Sequence, residues 1–173
     1  MDAIVKAALK KWPNVPHCYG WLALDARGDW YMRDERIQHA GPFPKVKGSR
    51  INHEKLLDFI GRNYACDDTG CWFFQNGPQR VYLQLEAAPW VWRVQDDFSI
   101  VSHTGLTAQF GACWLDEQDR LFISTPQGLG LVHSMDMHVA ARAVEQGLWE
   151  PVQRSHAELL QAAGVVLDPQ PKT

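Results

Sequence analysis

The chain has no run approaching the roughly 18 consecutive apolar residues that cross a bilayer. Its opening residues, MDAIVKAALKKW, interrupt their apolar positions with Lys6, Lys10 and Lys11 instead of forming the unbroken stretch of a secretory signal. Neither membrane insertion nor export is expected, and the cytoplasm is the expected compartment. Cationic excess is missing too: 17 Lys and Arg against 20 Asp and Glu leave a net charge of -3. Nucleic acid is therefore not an expected partner, because binding by counterion release needs a basic face. One basic run, Arg33 to Lys55, is interrupted by Asp34, Glu35 and Glu54 and reads as a solvated loop. Cysteine is sparse at four residues, and a core of this size needs no disulfides, so free thiols are expected.

Motifs of chemistry are also scarce. Cys66 and Cys71 stand at C-x4-C spacing with no second close pair, so zinc is not expected, and no other cofactor is implied. His133 and His138 are five apart and straddle a helix start instead of sharing a face. There is no G-x-S-x-G elbow, and nothing local would activate Cys71, Cys113 or Ser134. Gly128-Leu129-Gly130 lacks the third glycine and the lysine of a phosphate loop. An anion, if bound, would sit on the free N–H groups at Ser134 beside His133. The paired acids Asp67-Asp68 and Asp96-Asp97 fall in turns, where aspartate is favoured for backbone reasons.

What is abundant is strand-forming aromatic sequence. Gly70 to Val94 reads GCWFFQNGPQRVYLQLEAAPWVWRV, and Asn76-Gly77 supplies the positive φ angles of a tight hairpin between Cys71–Gln75 and Gln79–Leu85. Ala87-Ala88-Pro89 breaks the second strand, and Trp90 to Val94 begins a third. Upstream, Trp21–Leu24 and Trp30–Met32 flank a loop in which Gly28 takes the left-handed position. Downstream, a strand is expected at Phe98–Ser102, then a hairpin of Ala108–Trp114 and Arg120–Thr125, then a short apolar run, Leu129–Val132.

About four helices complete the pattern. Ile4, Val5, Ala8, Leu9 and Trp12 recur at helical spacing before Pro13. Asn52 is the expected N-cap of a helix whose stripe is Leu56, Leu57, Ile60 and Tyr64. Ser134 is the expected cap of another, with Met137, Ala141, Val144 and Leu148 on one side. Ser155 and Glu158 form a capping box for the last, which stops at Gly164. Val165–Leu167 is a candidate edge strand, and Asp168–Thr173 should fray.

Three hairpins open alike, at Gly20-Trp21-Leu22, Cys71-Trp72-Phe73 and Cys113-Trp114-Leu115, which suggests a hairpin-and-helix unit used more than once. The expectation is an α+β chain: an N-terminal helix over 1–15, a hairpin/helix lobe over 16–105 and a second over 106–173, both barrel-like and mainly antiparallel. The runs Arg27–Met32, Arg50-Ile51 leading into 52–63, Gly70–Phe74, Gln79–Leu83 and Glu86–Trp92 resemble the layout of a bacterial family known only as a domain of unknown function. The likeness covers about residues 20–132. It implies repeated hairpin and helix motifs, barrel-like lobes and a role in signalling or ligand binding, and it offers no catalytic residue to carry over. Where that family tends to show Leu-x-Thr-Pro in the second hairpin, this chain has Phe74-Gln75-Asn76-Gly77 there and Ser124-Thr125-Pro126 later.

Function is read from the aromatic excess. Eight tryptophans are many for a chain of 173 residues. They either fill small cores or, in the case of Trp90 and Trp92 with Arg93 and Arg80, line a groove for a planar or peptide ligand. The expected role is a ligand- or protein-binding module for an unidentified small molecule or protein, in signalling or regulation. One alternative is a hydrolase-like enzyme in which His103, His133 or Cys113 meets a carboxylate. Another is an adaptor docking through the first helix and Trp12, in which case deleting residues 1–14 would leave the thermal midpoint nearly unchanged.

Overall fold

The computed structural model describes residues 1–173 and divides them into two compact units. The first comprises 1–25, 29–86 and 166–173, and the second 26–28 and 87–165. The chain is α+β, with five helices and two mixed sheets, one of them curled into a half-barrel.

In the first unit the elements are α1 (Ala3–Lys11), β1 (Cys18–Leu24), β2 (Trp30–Met32), α2 (Glu35–Ala40), β3 (Ser49–Arg50), α3 (Glu54–Arg62), β4 (Tyr64–Cys66), β5 (Trp72–Asn76) and β6 (Gln79–Leu85). The sheet order is β3-β2-β1-β6-β5-β4. It is two antiparallel meanders joined by the parallel pairing of β1 with β6, which sets Leu22 against Leu83 and Leu24 against Leu85. Alternation then fixes the core, with Leu22, Leu24, Phe74, Val81, Leu83 and Leu85 buried on one face and Phe59 of α3 packed edge-on against Phe74.

The second unit contains β7 (Trp90–Val94), β8 (Ile100–Ser102), β9 (Thr107–Ala108), β10 (Ala112–Leu115), β11 (Leu121–Thr125), β12 (Gly128–Val132), a 3-10 turn over Ser134–Asp136, α4 (Met137–Glu145), β13 (Val152–Gln153) and α5 (His156–Ala163). Its order, β13-β10-β11-β12-β7-β8-β9, again joins two three-stranded meanders by a parallel pair, here β7 with β12, and β13 adds in parallel to the outer edge of β10. The sheets are mainly antiparallel, as expected, and the parallel pairs β1–β6, β7–β12 and β10–β13 make them mixed. Ala87, Ala88, Phe122, Leu129, Leu131 and Leu159 form one apolar cluster of this unit.

One turn recurs through both units and explains why the meanders form. Over Asp25–Asp29, Asp67–Cys71, Gln95–Ser99, Ser102–Leu106 and Asp116–Arg120, the first residue's N–H donates to the carbonyl of the fifth. In four of them the fifth residue's N–H donates back to the first residue's side-chain oxygen, at Asp25, Asp67, Ser102 and Asp116. The Gln95 turn instead closes through the Ser99 hydroxyl on the Gln95 amide oxygen. The fourth residue takes positive φ, at Gly28, Gly70, Phe98, Gly105 and Asp119. The sequence reading placed Gly28 correctly but did not see the other four as the same device. Only three of the five fourth positions are glycine, so the shared signature is the side-chain acceptor at the first residue.

Several local expectations shift. The N-cap of α3 is His53, whose Nδ1 accepts from the Leu56 N–H, and not Asn52. His133, not Ser134, accepts from the Met135 N–H at the 3-10 turn that leads into α4. The basic run folds in part into α2, capped by Asp34, and its Arg33 is interior, donating to the carbonyls of Gly41 and Val46. The capping box at Ser155 and the left-handed stop at Gly164 are as read. Residues 166–167 bridge to Cys71 and Leu85, and of the segment expected to fray Asp168 accepts from Gln84 Nε2 and Pro169 is buried, while residues 170–173 are exposed. Deleting residues 1–14 would not be neutral, because Val5 is buried and the Asp2 N–H donates to Asn63 Oδ1. No helix is long and apolar enough to cross a membrane.

Candidate functional site

Of the six residues singled out in the sequence, Arg80 lies in the first unit and the other five in the second. Trp90 and Trp92 stack at 5.8 Å with an interplanar angle of 14°, and they are 5% and 0% exposed. Their indole N–H groups donate to the carbonyls of Gln127 and Ile123. They fill the second unit and do not line a groove, which corrects the functional reading of this pair; burial of so much ring surface is the reason. Arg93 donates through Nε and Nη2 to Asp136, whose other contact is the Val94 N–H. That pairing first of all, and the Val94 N–H after it, holds the Asp136 carboxyl below its usual range despite burial. His133 is buried and spends Nδ1 on the Met135 N–H next to Ser134. Cys113 is buried, and burial raises its thiol pKa, opposite to what a nucleophilic thiolate needs.

Arg80 belongs to a different constellation. Arg80 and Tyr82 are two apart on β6 and so share a face. The parallel pairing of β1 on β6 brings Tyr19 onto Tyr82, stacked at 4.9 Å and 12°, and the His17 ring meets Tyr82 edge-on at 5.5 Å. The turn between β4 and β5 supplies the polar wall. Asp67 Oδ1 accepts from the Thr69 hydroxyl at 2.7 Å and from the N–H groups of Thr69 and Cys71. Its Oδ2 accepts from the Tyr82 hydroxyl at 2.9 Å, and that hydroxyl in turn accepts from Arg80 Nη1 at 3.2 Å. The Arg80 guanidinium lies 4.3 Å from the Phe73 ring centre, and no carboxylate pairs with it.

These contacts set the protonation states. Burial works to raise the Asp67 pKa, but the donors from Thr69, Cys71 and Tyr82 outweigh it and keep the group anionic. Burial raises the Tyr82 hydroxyl, with Asp67 adding to the rise and Arg80 opposing it. Burial, then the charges of Asp67 and Cys71, push the Cys66 thiol up to about 11. The cluster is thus a closed hydrogen-bonded frame holding a cation and two stacked phenol rings at the wall of a recess of 510 Å³. A second recess of 330 Å³ adjoins it, since Tyr19, Gln170 and Pro171 line both. The hydroxyls of Thr69 and Tyr82 both donate to Asp67. A further recess of 580 Å³ in the second unit is lined by Trp114, Arg154 and Glu158, but Glu158 is spent on the α5 capping box. Nowhere do three His, Cys, Asp or Glu side chains gather as a metal ion would require.

The sequence reading missed Tyr19, Tyr82, Asp67 and Thr69. The signals that could have found them are the Arg-x-Tyr alternation on β6 and the acid that opens a five-residue turn.

A family model described as a protein of unknown function (DUF2946), and carrying the designation DUF2944, matches residues 1–171. The chain belongs to that family. No curated protein matches this DUF2946 chain. Two solved structures resemble it. A DUF1285 family protein from Silicibacter pomeroyi DSS-3 is 13% identical, with 80% of this chain and 82% of that one covered at a TM-score of 0.50. A DUF1285 family protein from Shewanella baltica OS155 is 15% identical, with 70% and 91% covered at a TM-score of 0.49. The first likeness extends to the fold and no further. The resemblance drawn from the hairpins therefore holds as a bacterial domain of unknown function.

Proposed function

We propose that the chain is a binding module, regulatory and not catalytic in role, whose ligand enters the recess of the first unit lined by Tyr19, Tyr82, Arg80 and Thr69. The observation that carries this reading is Arg80: a guanidinium with no acid partner, fixed by a phenol and a phenyl ring at the wall of a 510 Å³ recess. A ligand with a flat apolar face and an acceptor or anionic group fits that wall, stacking on the phenols and accepting from the guanidinium. Supporting it, the neighbouring acid and hydroxyls satisfy one another, so an entering ligand does not have to break an ion pair.

The test is a thermal-shift panel of nucleotides, sugars, amino acids and short peptides on the native chain and on Arg80→Ala and Tyr82→Leu. At one hundred times its dissociation constant a ligand adds about 2.7 kcal/mol, readily seen as a raised midpoint. At least one class is expected to raise the native midpoint and to lose the effect in both variants. Equal shifts in native chain and variants, or none in any class, would refute the reading. A second reading, protein docking through α1, is favoured by Ile4 and Trp12, 76% and 50% exposed on one short helix. It predicts that Ile4→Glu with Trp12→Glu abolishes partner capture while the small-ligand shifts persist.

A further inference from the structure

The end of the chain already occupies part of this surface, and its chemistry names the ligand class. Asp168 and Gln170 each precede a proline, so both are held extended while Pro169 and Pro171 have fixed φ. Little conformational freedom remains to be lost when such a segment docks, which is the basis of proline-peptide recognition by aromatic grooves. Here Pro169 is buried, Pro169 and Pro171 share a recess with Tyr19, Gln38 and Pro42, and Pro171 continues beside Tyr82 and Arg80.

The fit is nevertheless incomplete. Arg33, 1% exposed, leaves its Nε without a partner, and Gln84 leaves its buried Oε1 without one, both in residues lining the recess that receives Pro169. Both atoms are closed to solvent with the chain's own segment in place, and that segment satisfies neither; a peptide seated in its stead brings the C=O and N–H that they lack. An occupant tethered in cis enjoys an effective concentration of about millimolar, which lets a poorly matched segment hold the groove until a better matched one arrives.

We propose that the groove formed by Tyr19, Arg33, Gln84, Arg80 and Tyr82 recognises an extended, proline-containing peptide segment of another protein, and that residues 168–172 are its tethered competitor. This rests on the recess being a binding site. It adds the class of ligand and the means of restraint.

The probe is a fluorescein-labelled peptide of the sequence of residues 166–173, VLDPQPKT, followed by anisotropy against the full-length native chain and a full-length Pro169→Gly/Pro171→Gly variant. The variant is expected to bind at least tenfold more tightly than the native chain, and a peptide with both prolines replaced by alanine at least tenfold more weakly. Adding Tyr19→Ala to the variant is expected to return binding to the native level. Should the glycine variant lose its cooperative melt, Asp168→Ala, which removes the Gln84 hydrogen bond and the carboxylate charge acting on Arg33, is expected to shift affinity in the same direction. Equal affinity of native chain and both tail variants would overturn the proposal, as would equal binding of the alanine peptide. If the peptide fails while a panel compound still depends on Arg80, the peptide inference falls and the binding-site reading survives. If both fail, both fall.

Discussion

Gly130→Ala places one methyl group in the tightest part of the second unit. The ideal Cβ position at Gly130 lies 2.8 Å from Trp90 Cβ and overlaps the Nε1 and Cε2 atoms of Trp92. Gly130 pairs with Ile123 on one side and Trp90 on the other, so neither strand can move away without losing its ladder. The indole of Trp92 is fully buried, and its N–H donates to Ile123 O at 3.1 Å. Overpacking of this kind costs about 1–3 kcal/mol. Displacing the indole from its acceptor adds about 1–3 kcal/mol, while replacing glycine within a strand returns roughly 0.5–1 kcal/mol. The expected net loss is about 3 kcal/mol, a fall of roughly 6–12 °C in the midpoint for a chain of this length. Gly77→Ala is the matched control. Nothing lies within 4 Å of its Cβ position, but φ is +57°, so only the left-handed backbone is penalised, at about 1–2 kcal/mol. Urea and thermal unfolding followed by tryptophan fluorescence would measure both. A Gly130→Ala loss below 1 kcal/mol, or one no larger than that of Gly77→Ala, would show that Trp92 is not wedged against this strand and would reopen the indole pair as a groove.

Further outcomes concern the turns and the titratable groups. Asp116→Ala removes the acceptor for the Gln118 and Arg120 N–H groups and for the Arg120 guanidinium, and should cost about 2–3 kcal/mol in urea unfolding; a loss under 1 kcal/mol would contradict the role given to the five-residue turn. Asp67, Asp116 and Asp136 all have pKa values below the ordinary carboxylate. Their contribution is complete above the unfolded value of about 3.9 and disappears as pH falls through the folded values, so the urea midpoint should be flat from pH 5 to 7 and fall below about pH 4; a midpoint unchanged down to pH 2.5 would refute this. Cys66 is exposed, yet its thiol sits at about 11, so at pH 7.5 iodoacetamide should modify it at least tenfold more slowly than free cysteine, whose pKa is about 8.5; mass spectrometry showing ordinary reactivity would contradict the partly desolvated, anion-flanked thiol.

Local chemistry was legible wherever one residue decides it. Asn76-Gly77 gave the β5–β6 hairpin, and Ser155 with Glu158 gave the start of α5. Helix α2 was hidden because four of its six residues are polar and Ile37 and Ala40 are too few to mark a stripe, and its neighbour Arg33 is interior through carbonyl acceptors that no charge pattern announces. Strand β4 was hidden because Tyr64 also continues the helical spacing of Leu57 and Ile60. The parallel joins β1–β6 and β7–β12 leave no short-range signal at all, since the partners lie far apart in sequence. The candidate site depends on the first of those joins. Arg80 could be picked out as a cation on an aromatic strand, but its companion Tyr19 comes from a strand some sixty residues earlier, His17 from the residues that lead into that strand, and Pro169 from some ninety residues later. Trp90 and Trp92 attracted attention by their chemistry, but their burial was decided by Gly130, which makes room for a ring only once β7 and β12 are paired.

The most direct measurement is amide chemical-shift mapping on the uniformly 15N-labelled chain, titrated with whichever compound of the thermal-shift panel raises the midpoint most. The account predicts that the largest changes cluster at Tyr19, Thr69, Cys71, Arg80 and Tyr82 and vanish in Arg80→Ala. Changes centred instead on Trp114, Arg154 and Gln161 of the second unit, or unaltered by Arg80→Ala, would contradict it.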